Sequence, residues 1–484
     1  MKSDKSYGKG NFRRGETMKK RNIFGSALSL AMVVIMLLGL GSVTAFAYIS
    51  EQATKSTGVW TEISESYYAP ISIEGSNQIV LRRTLQESDY EQILESLVDT
   101  SIPADTAAAE NAATNPDAYL PDNMLPDGRV LRSDWQTAQL EMISNAQKLV
   151  TLNNNKIQST DIADKMSLSA NDDAKYTMQL AMVDGQQYIL PETSRRSLEI
   201  IPETHESIFY DDRGIRLIDP QTQSTSELLP SIYKGKTFDE LSAEMIQRGD
   251  ESSLVWSNQV SLNNAGTKLA YISNKENLST YSVFMYDIET AEEYLVQTST
   301  DYNYLIIGWI NNDTVLCYKL KGLGLDVVAI DSAGNEQNIV LETDDPDIID
   351  ISGELIAYRG PGSNEVWISK YNETESPDLI THIDLQDGVV CVMAGAEEFN
   401  STGDKFAFIY SPNALSKDRY LWTVDLSTSE INKEMTLPTI KSEVVGVHDF
   451  AWKNSDELIV NIYAQEDESN ETISTWNYTI GGGS

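Results

Sequence analysis

Apolar and polar positions alternate in short runs through the C-terminal half of the chain, and one two-part pattern recurs there. It is clearest near residue 262, where a turn-like stretch, Asn-Asn-Ala-Gly at 263–266, precedes an apolar run at 269–272. A second apolar run, residues 283–286, ends at Asp287. Short apolar runs bounded by Asn, Ser, Asp and Gly are typical of β-strands joined by tight turns. The pattern therefore predicts a β-rich C-terminal half.

The apolar centre of the first strand in this pattern recurs six times. The intervals between successive centres are 61, 46, 41, 50 and 52 positions. A period of about 40 to 50 residues built from short strands is typical of a β-propeller, in which each blade buries its faces against its neighbours. We explain the long first interval by an insertion, in which a capping box at residues 237–240 opens a helix that Gly249 can end. The central residues are Phe209, Ala270, Leu316, Ala357, Ala407 and Ile459.

A large apolar residue precedes the turn before this strand in four repeats. Trp309, Phe399 and Trp452 take this place in three of them, and Leu262 takes it in the fourth. An aromatic ring at this position can fill the wedge between two blades. We therefore expect these side chains to be buried between neighbouring sheets.

The second strand of four repeats ends in an aspartate. A carboxylate at the start of a turn can accept a hydrogen bond from the backbone two residues further on. We therefore predict that these carboxylates hold hairpins together and take no part in catalysis. The four residues are Asp219, Asp287, Asp331 and Asp425.

These phrases resemble the TolB-type propeller repeat, which the propeller domains of prolyl oligopeptidase-like peptidases share. That repeat has an aromatic residue, a Ser-Pro-Asp-Gly-like turn, an Ile-Ala-Tyr-like strand and a second strand ending Asp-x-x-Thr-Gly. The likeness covers about residues 205–480, although no turn here contains the proline. It implies a mainly β protein with a six-bladed propeller, or a seven-bladed one if the hairpin at 176–190 supplies a blade. It also implies interaction with partners in the cell envelope.

The N-terminal segment predicts export. Residues 23–48 carry no charge and follow three basic residues at 19–21. Ala45 and Ala47 are the small residues that a signal peptidase requires, so residues 1–47 are predicted to be a cleaved signal peptide. A retained membrane anchor is the alternative, because the uncharged run is long enough to span a bilayer. Either way, the basic residues before the run predict that the rest of the chain lies outside the cytoplasm.

Residues 48–175 predict a small mixed α+β region before the propeller. Residues 75–84 indicate a strand, and capping-box spellings at Ser88 and Ser133 predict helices through about Leu97 and Lys148. Residues 101–128 are rich in Ala, Pro, Asp and Asn, which predicts a flexible linker.

Three further boundaries follow from the pattern. Asp-Gly at 184–185 predicts a hairpin, so the propeller is expected to occupy residues 176–480. The true start could be Met18, because residues 13–18 can be encoded by a purine-rich ribosome-binding sequence. We leave the tail at 481–484 out of the fold.

The net charge of −37, from 73 acidic and 36 basic residues, restricts the possible partners. An acidic surface repels nucleic acid phosphates and anionic lipid headgroups. We therefore expect no nucleic acid partner, and membrane contact only through residues 23–48 if they are retained.

The cysteines and histidines do not form a recognisable site in the sequence. Cys317 and Cys391 lie in apolar runs and are expected to be buried hydrophobic residues, although a disulfide between them stays open. His205, His382 and His448 match no metal-binding or triad spacing, so each is expected at the surface or at a strand end. We predict no cofactor, no metal and no catalytic residue.

Acidic clusters and hydrolase motifs were the remaining candidates for chemistry. Asp211, Asp212, Asp344, Asp345 and Asp347 form the densest acidic clusters, and a solvated loop is preferred over a calcium site for them. The sequence contains no Gly-x-Ser-x-Gly elbow.

The composite prediction is an exported propeller that serves as a binding scaffold at the cell envelope. Loops at a propeller mouth suit recognition of an envelope protein, a peptide or a glycan. Two alternatives stay open: a secreted glycoside hydrolase with paired carboxylates, and a membrane-anchored extracytoplasmic sensor.

Overall fold

The computed structural model divides the chain into two compact units, Met1–Tyr48 and Ile49–Ser484. The first unit lies outside the described residues, and so does the predicted export segment. The described residues are 54–55, 58–73, 79–115, 120–146, 149–159, 162–168, 176–183, 185–191, 199–211, 214–237, 240–241, 243, 257–277, 280–322, 324–360, 364–373, 376–386, 388–391, 397–413, 416–434, 436–438, 440, 444–467 and 470–481.

Two short strands open the described part of the chain, and both belong to sheets formed by its C-terminal end. They are β1 (Thr54–Lys55) and β2 (Val59–Ser64). β1 runs parallel to a strand at 430–433, whereas β2 runs antiparallel to a strand at 470–479. The N-terminal segment therefore extends the outer edges of the last two sheets.

The next strands form three sheets by antiparallel pairing of consecutive strands, followed by a small hairpin. Sheet I contains β3 (Tyr68–Ser72), β4 (Ile79–Arg83), β5 (Leu149–Asn153) and β6 (Lys156–Ser159), sheet II contains β7 (Ile162–Leu168), β8 (Tyr176–Val183) and β9 (Gln186–Pro191), sheet III contains β10 (Glu199–Ile200), β11 (Ser207–Asp211), β12 (Gly214–Ile218) and β13 (Thr225–Pro230), and the hairpin contains β14 (Ile232–Tyr233) and β15 (Lys236–Thr237).

Five further sheets follow in the same way. Sheet IV contains β16 (Ser257–Leu262), β17 (Lys268–Ser273), β18 (Ser282–Asp287) and β19 (Glu292–Gln297), sheet V contains β20 (Asn303–Trp309), β21 (Thr314–Lys321), β22 (Gly324–Asp331) and β23 (Glu336–Ile339), sheet VI contains β24 (Asp347–Ser352), β25 (Leu355–Arg359), β26 (Glu365–Lys370) and β27 (Asp378–Asp384), sheet VII contains β28 (Val389–Val390), β29 (Glu397–Phe399), β30 (Lys405–Ser411), β31 (Tyr420–Asp425) and β32 (Glu430–Lys433) with β1, and sheet VIII contains β33 (Val444–Trp452), β34 (Glu457–Asp467) and β35 (Asn470–Thr479) with β2.

The fold is mainly β and of the propeller class, as predicted. Within the described residues there are eight sheets of three or more strands, so a count of six or seven blades is not confirmed. The hairpin predicted at residues 176–190 is confirmed as β8 and β9, and Gly185 has the positive φ of +79° that its tight turn requires. The boundary between a mixed region and the propeller at residue 176 stays a prediction.

Within the described residues, seven hydrophobic clusters join the sheets in cyclic order, because each one contains side chains from adjacent sheets, and we call the sheets packed in this order the ring. They join I to II and the start of III, then III to IV, IV to V, V to VI, VI to VII, VII to VIII, and finally VIII to I. Strand β17 shows how this works. Leu269 and Tyr271 face sheet III, whereas Ala270 and Ile272 face sheet V. Both faces of the inner strands β17 and β18 are buried, which explains why these two strands are continuous apolar runs.

The four residues expected in the wedges are buried there. Trp309 packs against sheet IV, Phe399 against sheet VI and Trp452 against sheet VII. Leu262 is buried in the cluster shared with sheet III. Both indoles also donate hydrogen bonds of 3.0 Å to the preceding sheet, Trp309 to the carbonyl of Ser261 and Trp452 to that of Glu398. This prediction is confirmed.

Three helices in the described residues interrupt sheet I between β4 and β5. They are α1 (Glu87–Ser96), α2 (Thr106–Thr114) and α3 (Trp135–Ala146). Two of them correspond to the predicted helices, and α2 lies within residues 101–128, whose flexibility stays a prediction. The predicted cap at Ser88 is wrong. α1 begins after Gln86, because the backbone N–H of Gln86 donates to Asp89 Oδ2 at 2.9 Å.

The connections between strands alternate between two faces, since consecutive strands of a sheet are antiparallel. We call the face after the first and third strands the turn face, and the face after the second and fourth strands the loop face. Asn263 Nδ2 donates to the carbonyl of Asn312 in the next sheet, and Lys405 Nζ donates to that of Ser455, both at 3.0 Å. These bonds bring the turns after successive first strands to the same face.

Candidate functional site: the loop face

The loop face carries the two long insertions of the ring. The first, residues 84–148, follows the second strand of sheet I, and we call it the helical insertion. The other, residues 231–256, follows the fourth strand of sheet III. Its predicted capping box is confirmed, since the Thr237 N–H donates to Glu240 Oε2 at 3.0 Å and the Glu240 N–H donates to Thr237 Oγ1 at 3.4 Å. Gly249, expected to end that helix, lies outside the described residues.

Exposed large apolar side chains are concentrated on the loop face. Of the twelve such residues in the described part of the chain, nine lie in its connections or in the strand ends beside them. The other three are Val59 on β2 and the pair Tyr294 and Leu295 on the outer strand β19. The nine are Tyr90, Ile102, Leu140, Met142, Tyr210, Ile232, Tyr281, Leu305 and Val340.

The helical insertion has a hydrophobic core of its own. Leu85, Ile93, Leu97, Leu131 and Ala138 are buried together, and every member of this cluster comes from the insertion. The insertion therefore packs as a small module on top of sheet I.

Polar contacts hold this module against the ring. Gln86 Nε2 donates to the carbonyl of Ile473 on β35 at 2.9 Å, and Arg83 forms an ion pair of 2.8 Å with Asp89. These contacts fix the start of α1 relative to sheets I and VIII.

Exposed acidic side chains fix the turns and helix ends of the module. Asp105 caps α2 by accepting from the Ala108 N–H at 3.0 Å. Gly128 has a φ of +88°, and a Cβ there would lie 2.4 Å from the carbonyl oxygen of Asp105, so the close approach requires glycine. Arg129 bridges Glu95 and Asp127, and its hydrogen bond lowers the pKa of the Glu95 carboxyl.

A buried polar cluster lies where sheet VIII meets sheet I, and we call it the polar junction. It comprises Tyr67, His448, Asp449, Asn461 and Thr475. The Asp449 carboxylate accepts from Tyr67 Oη at 2.9 Å and from Asn461 Nδ2 at 2.6 Å. Thr475 Oγ1 donates to Asn461 Oδ1 at 2.8 Å. Asp449, Asn461 and Thr475 are almost fully buried, so this network is shielded from water.

His448 lies at a bulge of β33, where the register shifts between Val447 and Asp449. Its Nδ1 is 2.7 Å from Asp449 Oδ2, and its side chain is 21% exposed. A carboxylate on one ring nitrogen fixes the orientation of an imidazole. The prediction that this histidine lies at the surface or at a strand end is therefore wrong. Its ring is oriented at the polar junction.

The other two histidines lie apart from the polar junction. His205 occupies a turn after β10 with a φ of +57°. His382 lies within β27, where its ring stacks on Trp367 with centroids 5.1 Å apart and Nε2 is 3.2 Å from Glu365 Oε1. The structure therefore does not bring the three histidines together.

The four aspartates at the strand ends hold turns on the turn face, as predicted. Their side chains accept from the backbone N–H of Gln221 (2.7 Å), Thr290 (2.9 Å), Ala333 (3.0 Å) and Ser427 (2.9 Å). Asp287 differs slightly, because its donor lies three residues on. Hydrogen bonds from the Thr222 hydroxyl and from nearby backbone groups lower the pKa of Asp219.

The remaining candidates are scattered. Asp347 pairs with Arg359, while Asp344 and Asp345 are exposed in the loop before β24. Asp212 and the side chain of Asp211 lie outside the described residues. In the part of the chain that is described, no three His, Cys, Asp or Glu side chains are grouped so that they could hold a metal ion.

Cys317 and Cys391 do not form a disulfide with each other. Cys317 is buried in the cluster between sheets IV and V, as predicted, and burial raises its pKa above the usual value. Cys391 is half-buried and packs against the cluster between sheets VII and VIII.

No described helix is long and apolar enough to cross a membrane. The uncharged segment at 23–48 lies outside the described residues.

No protein family model matches the sequence, and no curated protein sequence matches it. Three solved structures illustrate the similarity in fold. An oligogalacturonate lyase in complex with manganese is 10% identical with a TM-score of 0.40, over 69% of this chain and 93% of that one. TolB from Acinetobacter baumannii is 12% identical with a TM-score of 0.27, over 57% and 79%. The β-propeller domain of the trilobed protease from Pyrococcus furiosus is 10% identical with a TM-score of 0.31, over 67% and 84%.

Proposed function

We propose that this protein is an exported, extracytoplasmic β-propeller that binds a partner at the cell envelope through its loop face. The observation that carries the proposal is the concentration of exposed apolar side chains on that face. Exposed apolar surface beyond scattered single residues is characteristic of interaction sites. On the turn face, four short turns are held by aspartate side chains.

The proposed location outside the cytoplasm rests on the N-terminal sequence. The uncharged segment at 23–48, preceded by basic residues, supports export, and β1 begins six residues after it. We assign the repeat to the TolB type on the residues of its turns and strands. The proposed partner is an envelope protein, peptide or glycan.

Site-specific photo-crosslinking tests which surface meets the partner. Tyr281 on the loop face and Tyr294 on the outer strand β19 are both 40% exposed, so they form a matched pair. Each is replaced by p-benzoylphenylalanine, and the protein is irradiated in intact cells. We expect a discrete crosslinked product from position 281 and none from 294. Equal products at both positions, or a product only at 294, would refute the proposed surface.

The mass of the mature protein and its accessibility to protease test the proposed location outside the cytoplasm. We expect the mature chain to begin at Tyr48. We also expect added protease to digest it in cells whose outer layer has been made permeable but whose cytoplasmic membrane is intact. A full-length chain that stays protected with cytoplasmic markers contradicts the proposal.

A further inference from the structure

We propose that the helical insertion, residues 84–148, is the docking site for a basic, amphipathic polypeptide segment of the partner. This inference rests on the proposed binding function and specifies its partner. Three properties of the insertion lead to it: it is dispensable to its sheet, it exposes apolar side chains, and it is strongly acidic.

The insertion is not needed to form sheet I. β4 and β5 pair directly, with Arg82 opposite Leu149 and Val80 opposite Thr151. A two-residue turn could therefore join the two strands as an ordinary hairpin. The chain instead connects them through a module with a separate hydrophobic core. Such a module adds a surface to the ring without being required by its architecture.

Apolar side chains of the module point away from this core. Leu140 on α3 is 69% exposed, the largest value among the exposed large apolar residues of the described chain. Ala138, two positions earlier, is buried in the core, so Leu140 lies on the outer side of the helix. Tyr90 on α1 is also exposed, whereas Met142 lies four positions after Ala138, on the same side of α3 as the core. A helical partner could cover side chains of this kind with its apolar face.

The negative charge of the module favours a partner segment with positive charge. Residues 84–148 contain twelve Asp and Glu against two Arg and one Lys. Arg129 pairs with Glu95 and Asp127, and Arg132 pairs with Asp134, so the arginines are already engaged by carboxylates of the same module. A partner that brings Lys or Arg beside an apolar stripe would complement this surface, whereas an acidic partner would be repelled.

The test uses the mature chain and three synthetic peptides of equal length. One is an amphipathic helix of Leu and Lys, the second is the same helix with Glu in place of Lys, and the third keeps the lysines with Ser in place of Leu. Affinity is measured by titration calorimetry at low salt and at physiological salt. We expect the Leu/Lys peptide to bind at least about tenfold more tightly than the Lys/Ser peptide, since burial of one leucine suffices for that factor. The Leu/Glu peptide should not bind.

A loop-replacement variant locates the site. Residues 84–147 are replaced by Asn-Gly, so that Arg83 and Lys148 flank a two-residue turn and β4 and β5 keep their register. Circular dichroism with thermal unfolding checks that the ring is intact. We expect the affinity of this variant for the Leu/Lys peptide to be at least about tenfold lower than that of the mature chain. Unchanged affinity overturns the inference, and so does equal binding of the Leu/Lys and Lys/Ser peptides, which would indicate charge attraction alone.

A pair of point variants tests the same site if the loop-replacement variant fails to fold. Leu140→Ser is compared with Leu295→Ser, which changes an exposed leucine on β19. We expect a severalfold loss for Leu140→Ser only, and equal losses would overturn the inference. Crosslinking at position 281 lies outside the insertion, so a product there together with a failed peptide test would refute this inference while leaving the proposed function standing.

Discussion

The junction between sheets IV and V and the junction between sheets VIII and I perform the same task with different chemistry. Trp309 fills the first, packing among apolar side chains and donating one hydrogen bond to Ser261, 48 positions away. The second also has an apolar cluster, but it adds the buried carboxylate of Asp449, whose donor Tyr67 is 382 positions away.

The two junctions differ in what determines the alignment of one sheet against the next. Sheets IV and V are consecutive in the chain, so a short connection holds them near each other while apolar surfaces pack without directional preference. Sheet VIII must instead accept a strand from the opposite end of the chain. Hydrogen bonds have strict distance and angular requirements, so the polar junction can specify one alignment of these ends. The Tyr68 N–H donates to Thr475 Oγ1 at 3.0 Å, which fixes the segment just after β2.

Removal of the N-terminal strands should have the largest effect. A chain that begins at Ser66 lacks β1 and β2 and leaves the outer edge of β35 unpaired. We expect a loss of about 5 kcal/mol or more, which is the scale of the whole stability of a domain. Urea unfolding measures it. The control is a chain that begins at Thr54, which keeps both strands and should unfold like the mature protein. Equal stability of the two truncated chains would show that addition of β1 and β2 does not stabilise sheets VII and VIII.

Asp449→Ala tests the polar junction itself. The substitution leaves buried donors on Tyr67 and Asn461 without their acceptor, and each unsatisfied donor costs about 1–3 kcal/mol. We expect a total loss of about 3 kcal/mol in the free energy of unfolding. Asp331→Ala is the control, because that carboxylate holds an exposed turn, and it should cost less than about 1 kcal/mol. Similar losses in the two variants would remove the distinction drawn between the junctions.

Trp309→Phe tests the apolar junction. Phenylalanine keeps part of the packing but loses the bond to Ser261 and leaves a small void, so about 1–2 kcal/mol should be lost. The counterpart is Trp60→Phe on β2, which loses the 3.0 Å bond from Nε1 to the carbonyl of Thr436. Because that bond is exposed, we expect a smaller loss there. Thermal unfolding of both variants checks the order, and the reverse order would contradict this account.

The smallest effect should appear in acid. Hydrogen bonds from Thr402 and Asn400 lower the pKa of Asp404 below its ordinary 3.8. A carboxyl with a lowered folded pKa binds fewer protons in the native state, so it stabilises the fold above pH 3.8 and this contribution is lost as the pH falls through the folded pKa. Asp404→Asn should therefore flatten the dependence of unfolding free energy on pH between about 5 and 3.

Thr402→Ala is the matched variant for the acid experiment. It removes the main donor to Asp404 and keeps the carboxyl, so it should flatten the same dependence only in part. An unchanged slope in Asp404→Asn would contradict the assignment. Comparison between variants is essential, because loss of the large negative charge in acid also changes the stability of the wild-type protein.

Local chemistry made parts of this fold predictable. The buried runs around Ala270 and Ala357, the wedge position of Trp309 and the turn carboxylate of Asp219 all depend on residues close in sequence. Sheet I did not emerge from the repeat, because the helical insertion separates β4 from β5 and lengthens the spacing between its strands. The start of α1 was misplaced by two residues, because Gln86 and Asp89 form its capping box with residue types other than the Ser or Thr and Glu or Gln of the usual pattern.

The candidate site was less accessible to sequence reasoning than the fold. A pattern can show that an insertion exists, as at residues 237–240, but it does not state which face of a ring receives it. Exposure of Leu140 and Tyr281 became meaningful only once both were found on the loop face. Tyr67 gave no sequence signal at all, since its partner Asp449 comes from the other end of the chain.

The sequence by itself determined the strands, the tight turns and the burial of both sheet faces, because these follow from alternation and turn chemistry over a few neighbouring residues. The tertiary structure decided how the two ends of the chain meet and which side chains share the loop face. Those outcomes depend on strand pairing and hydrogen bonds between residues hundreds of positions apart, where no local pattern constrains the partner.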